Sequence, residues 1–249
     1  MAQHLFLLVS VVTAWLVPSV LGTSHLMFGN SSELMDITRD GCGETQLCVE
    51  VPAACDPVVS GDCLFASIVT GSPVVNNGRN LSISLRGRSP GDSPGYIAIG
   101  FTANASVGST MLFICAQNGS QFRFFTRKQY NNDTGGSLSP TERIVKNILG
   151  KVNGSLIQCE FIVTDFNATR LREADITTVV KLGNGMLDGS GPGPFNATRI
   201  TDPLNLSQVN GSIPRPTAAS PATRVAAFIS PACLLLWSSL SWSAAMFWM

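Results

Sequence analysis

The stretch from Gly95 to Gly119 constrains the fold of this chain more than any other part of its sequence. In its first part, GYIAIGF, the residues Ile97, Ile99 and Phe101 alternate with smaller ones, which is the period-2 pattern of a β-strand. After a small, polar loop, the run TMLFICA is apolar on both parities, which is typical of a strand covered on both faces. An Asn-Gly turn signal ends the run. Two interior strands are therefore predicted here, and the rest of the chain has to cover them.

Short strand patterns separated by turn signals recur along the rest of the chain. Residues 80–86 alternate apolar and polar side chains, and residues 121–130 continue as a further strand. Residues 144–152 and 155–165 flank a second Asn-Gly turn, and residues 176–182 form the last predicted strand, followed by a glycine-rich loop. Many short strands at this spacing predict an all-β fold, an antiparallel β-sandwich.

Both ends of the chain are typical of processing signals. Residues 1–22 combine an apolar run with small residues before Thr23, which predicts a secretory signal peptide. Residues 225–249 carry no charge, and no Lys or Arg follows them to set a cytoplasmic side. With the small triplet that begins at Asn210 and a polar spacer, they predict a GPI-attachment signal over 213–249 with Asn210 as the attachment residue. A transmembrane anchor is the alternative, because the run is long enough to span.

The charges are balanced, with 16 basic and 16 acidic side chains, so no bulk positive field favours nucleic acid as a partner. Arg123, Arg127 and Lys128 form a small basic patch, which is interpreted as the solvated face of a strand. Ten Asn-x-Ser/Thr sequons behind a signal peptide indicate a glycosylated protein of the secretory pathway. Besides Asn210, the predicted N-glycosylation sites are Asn30, Asn80, Asn104, Asn118, Asn132, Asn153, Asn167, Asn196 and Asn205.

Seven cysteines are present, of which Cys233 lies in the C-terminal tail. The even number that remains predicts up to three disulfides in an oxidising compartment. Cys115 and Cys159 both occupy inward positions of separate strands, so we expect them to pair. A zinc site is disfavoured, because the spacings are not C-x2-C and His25 is the only histidine beyond the signal peptide. The other four cysteines lie in a Pro- and Gly-bearing stapled loop, where local pairing is expected and three connectivities stay open: Cys42, Cys48, Cys55 and Cys63.

These motifs together resemble the DOMON domain, in the version found in the ferric-chelate reductase 1 family and its haem-less relatives. The segments GCGETQLC, CDPVVSGDC, GYIAIGF, MLFICAQNGS and LIQCEF follow the order of that family over residues 42–200. The resemblance implies a sandwich of about ten strands with a cysteine-rich N-terminal lead-in. The chain is then divided into a signal peptide (1–22), a polar lead-in (23–41), a DOMON-like domain (42–200), a glycosylated stalk (201–212) and a GPI-attachment signal (213–249).

The resemblance also implies where a haem group would be held. Redox members of the family hold haem b between a Met in the loop before the Cys115-type strand and a His near the end of the domain. Here Val107 stands at the expected Met position, and the end segment GPGPFNATRITDP contains no histidine. Valine has no ligating atom, and Met111 is better explained as core packing. No haem, other cofactor, metal site or catalytic residue is therefore expected.

The resulting hypothesis is a GPI-anchored, non-catalytic recognition or auxiliary module on the outer face of the plasma membrane. A membrane-protein partner is implied by the resemblance, because the brain member of the haem-less relatives associates with AMPA-type glutamate receptors. The alternative is a haem-b-binding redox protein of the ferric-chelate reductase type. A hydrolase is disfavoured, because Ser- or Cys-dependent chemistry needs a histidine base and His25 lies in the lead-in.

Overall fold

The computed structural model describes residues 25–30, 36–73, 79–91, 94–133, 136–166, 177–189 and 191–206. The predicted signal peptide, the predicted GPI-attachment signal, Asn167 and Asn210 lie outside these residues. Every regular element in the described ranges is a β-strand, which confirms the all-β fold class. The described residues include no helical segment with the length and hydrophobicity of a membrane span.

The described residues form strands that range from two to twelve residues in length. In chain order they are β1 (Leu26–Phe28), β2 (Leu47–Val51), β3 (Leu64–Pro73), β4 (Arg79–Arg88), β5 (Gly95–Thr102), β6 (Ser109–Asn118), β7 (Gln121–Tyr130), β8 (Leu138–Pro140), β9 (Val145–Asn153), β10 (Leu156–Phe166), β11 (Thr177–Asp188), β12 (Gly191–Pro192), β13 (Asn196–Ile200) and β14 (Leu204–Asn205).

The strands form two sheets packed as a sandwich. The first sheet has the order β1-β9-β10-β4-β3-β2, and the second has the order β12-β11-β5-β6-β7-β8. Strands β13 and β14 pair with β11 beside the second sheet. The paired strands are antiparallel except for β1, which lies parallel to β9. Strands β5 and β6 occupy the middle of the second sheet, as the opening stretch of the sequence predicts.

The β6 strand is apolar on both parities because each of its faces is buried. Phe113 and Cys115 face the main core between the sheets. Leu112 and Ile114 belong to a second apolar cluster, which is separate from the main core and also contains Phe195. A strand in this position cannot alternate apolar and polar residues, since neither face meets water.

The main core is held by alternating inward residues of both sheets and by one disulfide. In the first sheet, the predicted inward residues of β4 and β10 are buried, and their neighbours are half-buried or exposed. Phe161 of β10 packs against Phe124 of β7, with ring centroids 4.9 Å apart. The Sγ atoms of Cys115 and Cys159 are bonded, which joins β6 to β10 across the sandwich. This is the pairing expected from their inward positions.

The cysteine-rich segment is more ordered than a stapled loop. Its disulfides are local, Cys42 to Cys48 and Cys55 to Cys63. Residues 47–51, which include Cys48, form β2, which pairs with β3 and buries Val49 completely. The prediction of a loop was wrong here, because the Pro- and Gly-bearing residues 52–63 are only the connection between two strands, and β2 before them pairs with β3 after them.

The C-terminal boundary of the domain also differs from the sequence expectation. The predicted glycine-rich loop begins at Gly183, but β11 continues through it to Asp188. Part of the predicted stalk packs into the fold, since Leu206 is 3% exposed and belongs to the main core. The sandwich therefore extends at least to Leu206, because β13 and β14 complete hydrogen bonds to β11 that no local pattern reveals.

Candidate functional site

The loop between β5 and β6 carries Val107, the residue at the position where the family resemblance places a haem-binding Met. Its side chain is 69% exposed. The Oδ1 atom of Asn104 accepts hydrogen bonds from the backbone N–H groups of Ser106 and Val107, at 2.8 and 3.1 Å. The Nδ2 atom of Asn131 donates to the carbonyl oxygen of Val107 at 3.0 Å. The loop is thus fixed by side-chain amides rather than by packing of its own.

A buried lysine lies directly beneath this loop. Lys181 of β11 is 6% exposed, and its Nζ donates to the carbonyl oxygen of Ala105 and to Oδ1 of Asn131, each at 3.1 Å. The hydroxyl of Thr110 donates to the same Oδ1 at 2.5 Å. Burial lowers the pKa of Lys181. No carboxylate lies within ion-pair distance of Lys181 in the part of the chain that the structure describes, so the hydrogen-bond acceptors of its ammonium group there are neutral oxygen atoms.

The outward face of the second sheet is covered by the C-terminal segment of the chain itself. The hydroxyl of Tyr96 donates to the carbonyl oxygen of Gly193 at 2.8 Å, and the side chain is fully buried. This burial raises the pKa of Tyr96. The covering segment lies directly on the backbone of β11: a Cβ atom added to Gly183 would overlap the carbonyl oxygen of Asn196. We call the apolar residues of this face the outer cluster: Tyr96, Ala98, Leu112, Ile114, Ala116 and Phe195.

The residues present do not fit the axial ligand pair that the family resemblance implies for haem. Val107 offers no donor atom, and residues 177–206 contain no histidine. Lys181 lies between the loop and the covering segment. Its backbone pairs with Ile200 of β13, and its Nζ donates a hydrogen bond to Ala105 of the loop. His25 lies just before β1 of the other sheet, where its carbonyl oxygen accepts a hydrogen bond from Val145 N–H. No group of three or more His, Cys, Asp or Glu side chains that could hold a metal occurs among the described residues.

A groove of about 600 Å³ opens along one edge of the sandwich. We call it the edge groove. It is lined by His25 and two residues of β1, by residues 122–127 of β7, and by residues 140–142 at and after the end of β8. The sequence interpretation placed His25 in a polar lead-in and Arg123 on a solvated strand face. It did not place both residues in one groove, because they line it together only when the edges of the two sheets lie side by side.

The sequons lie mainly at strand ends and loops. The asparagine side chains at these positions are exposed or half-buried wherever the structure describes them. The exposed ones are Asn30, Asn104, Asn118, Asn132, Asn153 and Asn196, and the half-buried ones are Asn80 and Asn205. The positions suit glycan attachment, which stays a prediction.

No family model matches the chain. The chain is 24% identical over 173 residues to the Danio rerio protein named "Putative ferric-chelate reductase 1", a match that covers 70% of this chain and 29% of the relative. The chain therefore spans less than a third of that protein. Among solved structures, the chain is similar to the cytochrome domain of Myriococcum thermophilum cellobiose dehydrogenase. The TM-score is 0.45 at 10% identity, over 75% of this chain and 93% of that domain. The sequence match to a ferric-chelate reductase 1 agrees with the DOMON-like resemblance.

Proposed function

We propose that this chain is a haem-free, DOMON-like recognition module that is displayed on the outer face of the plasma membrane by a GPI anchor. The observation that carries the proposal is the buried ammonium group of Lys181, 3.1 Å from the loop that bears Val107. A cation held at this position disfavours a ferric ion nearby. The neighbouring outer cluster is filled by the chain's own Phe195 and Tyr96.

A non-catalytic role is supported by the chemistry of the described side chains. Acyl-transfer and hydrolytic sites need a nucleophile and a base within hydrogen-bond reach. Lys181 is buried beside the loop and Tyr96 is buried at the opposite end of β5, and the hydrogen-bond partners of both side chains are neutral groups. A binding role needs only a shaped surface, and the edge groove offers one.

The haem part of the proposal is tested by an absorption spectrum. The full chain is expressed in mammalian cells with added haem and purified. We expect no Soret band that copurifies in stoichiometric amount. A haem b spectrum at one haem per chain, retained through gel filtration, would identify the chain as a redox protein of the ferric-chelate reductase type and overturn the proposal.

The anchor is tested on intact cells with phosphatidylinositol-specific phospholipase C. We expect the enzyme to release the protein into the medium. A variant that ends at Arg224 lacks the apolar tail, and it should be secreted without the enzyme. Retention of the full-length protein, with Met249 found in the mature form, would mean a transmembrane anchor instead.

A further inference from the structure

The first half of strand β7 presents to the edge groove a backbone edge that no described strand pairs with. Strand β8 pairs only with residues 127–129. Beyond it, Thr141 N–H donates to the carbonyl oxygen of Thr126 at 3.4 Å, and the Thr126 hydroxyl donates to the carbonyl oxygen of Thr141 at 2.5 Å. Backbone groups point to alternate sides along a strand. Phe124 and Phe122, two and four residues before Thr126, therefore direct their N–H and C=O groups to the same side. No strand of the described ranges pairs with them there.

Of the devices that protect natural edges against strand addition, this edge has charged side chains but no proline, bulge or covering strand among the described residues. Charges of one sign deter a neutral or basic strand and leave the edge open to an acidic one. Residues 121–126 contain no proline, and their register with β6 is continuous. No sequon lies between Asn118 and Asn132, so the length of β7 carries no predicted glycan. The opposite wall of the groove is apolar, with Phe28 59% exposed.

The outward side of the same edge is basic. Arg123 and Arg127 flank Phe125 on one face of β7, and the guanidinium carbon of Arg127 lies 5.1 Å from the centre of the Phe125 ring. Neither arginine has a carboxylate within ion-pair distance among the residues that the structure describes. Glu142 is the acidic side chain in the groove lining.

We propose that the edge groove binds an extended, acidic segment of a partner polypeptide as an added strand on β7. Main-chain bonds would form with Phe122 and Phe124. Acidic side chains on one parity would face Arg123 and Arg127, and apolar side chains on the other parity would enter the groove. The inference rests on the proposed function as a recognition module and names the class of its partner.

A second copy of the chain does not suit this edge. Pairing of two β7 strands would bring the arginines of one copy against those of the other, and like charges opposite each other destabilise strand pairing. The charge of the edge therefore favours an acidic partner over self-association.

The probe for the test is an eight-residue peptide that alternates Glu and Val, acetylated and amidated at its ends. It is added to the full chain purified from mammalian cells. We expect slower hydrogen exchange at the Phe122 and Phe124 amides. Two further peptides are N-methylated, one at the Glu residues and one at the Val residues. Methylation of the amides that face β7 should abolish binding, and methylation of the alternate amides should leave it unchanged, because only one set faces β7.

Charge variants distinguish binding that depends on the two arginines from unspecific addition of any extended peptide to an exposed edge. The double variant Arg123→Glu with Arg127→Glu should weaken binding by about tenfold or more and should instead bind a Lys-Val peptide of the same length. The matched control Arg199→Glu changes an exposed arginine on β13 and should bind as the parent does. Arg123→Gln with Arg127→Gln is the milder pair, and circular dichroism checks that each variant is folded.

Three results would overturn the inference: no protection of the two amides at roughly millimolar peptide, equal binding by the charge-reversed variant, or concentration-dependent protection without peptide. The last result would assign the edge to a second copy. Failure of the peptide with a colourless protein would reject this surface and leave the recognition module standing. A haem spectrum would reject the module whatever the peptide does.

Discussion

The seating of the C-terminal segment on β11 can be tested with Gly183→Ala. A Cβ atom at this position would overlap the carbonyl oxygen of Asn196 and lie 2.8 Å from Cε2 of Phe195. The first of these atoms belongs to the backbone, so a rotamer change cannot relieve the overlap. The strand β13 must move away from β11, and the cover of the outer cluster is lost.

The cost follows from what the displaced segment contributes. Phe195 is 8% exposed, and losing the burial of a Phe side chain costs roughly 1.5–3 kcal/mol. The hydrogen bond from Tyr96 to Gly193 contributes about 1 kcal/mol. We therefore expect Gly183→Ala to lower the free energy of unfolding by about 3 kcal/mol. The control is Gly189→Ala, where an added Cβ meets nothing within 4 Å, and it should stay within about 0.5 kcal/mol of the parent.

The assay is urea denaturation followed by far-ultraviolet circular dichroism. Tryptophan fluorescence is unsuitable, because all four tryptophans lie in the predicted signal peptide or the C-terminal tail. Both variants are measured under the conditions used for the parent. A shift of the urea midpoint with an unchanged denaturant slope m reports a change in stability. If Gly183→Ala unfolds at the same free energy as Gly189→Ala, the segment does not rest on β11, and the account of the outer cluster is wrong.

Three further predictions concern the buried polar groups and the long disulfide. Because burial raises the pKa of Tyr96, the unfolded state loses its proton first, and stability should fall as the pH rises above about 10. Tyr96→Phe should abolish that fall and cost about 1 kcal/mol at neutral pH, both measured by denaturation over a pH series. Because burial lowers the pKa of Lys181, the unfolded state binds more protons than the folded state as the pH approaches 10.5, and the free energy of unfolding should rise with pH in that range. Lys181→Met should remove this rise. The same pH dependence in Lys181→Met and the parent would contradict the prediction. Replacing both Cys115 and Cys159 by Ala should cost about 4 kcal/mol, from a separation of 44 residues, and a loss under 1 kcal/mol in the same assay would refute the entropic estimate.

The sequence by itself determined the fold class and the central strands. The alternation in β4 and β10 survives in the structure because each strand has one face in the core and one toward water, so the periodicity is a local record of burial. The double parity of β6 likewise indicated a strand buried on both faces. The pairing of Cys115 with Cys159 could be anticipated, because inward parity restricts which sulfur atoms can meet.

The tertiary structure alone decided what lies around the candidate sites. No local pattern indicates that Lys181 is buried beneath the Val107 loop, because its partners are 50 and 76 residues away in sequence. The glycines at the end of β11 predict a loop, but the strand continues through them to Asp188. Those glycines instead admit the backbone of the covering segment at close range. The edge groove exists only because β8 ends early and β1 joins the other sheet. Strand order and edge length depend on long-range pairing, and a single sequence carries no direct record of either.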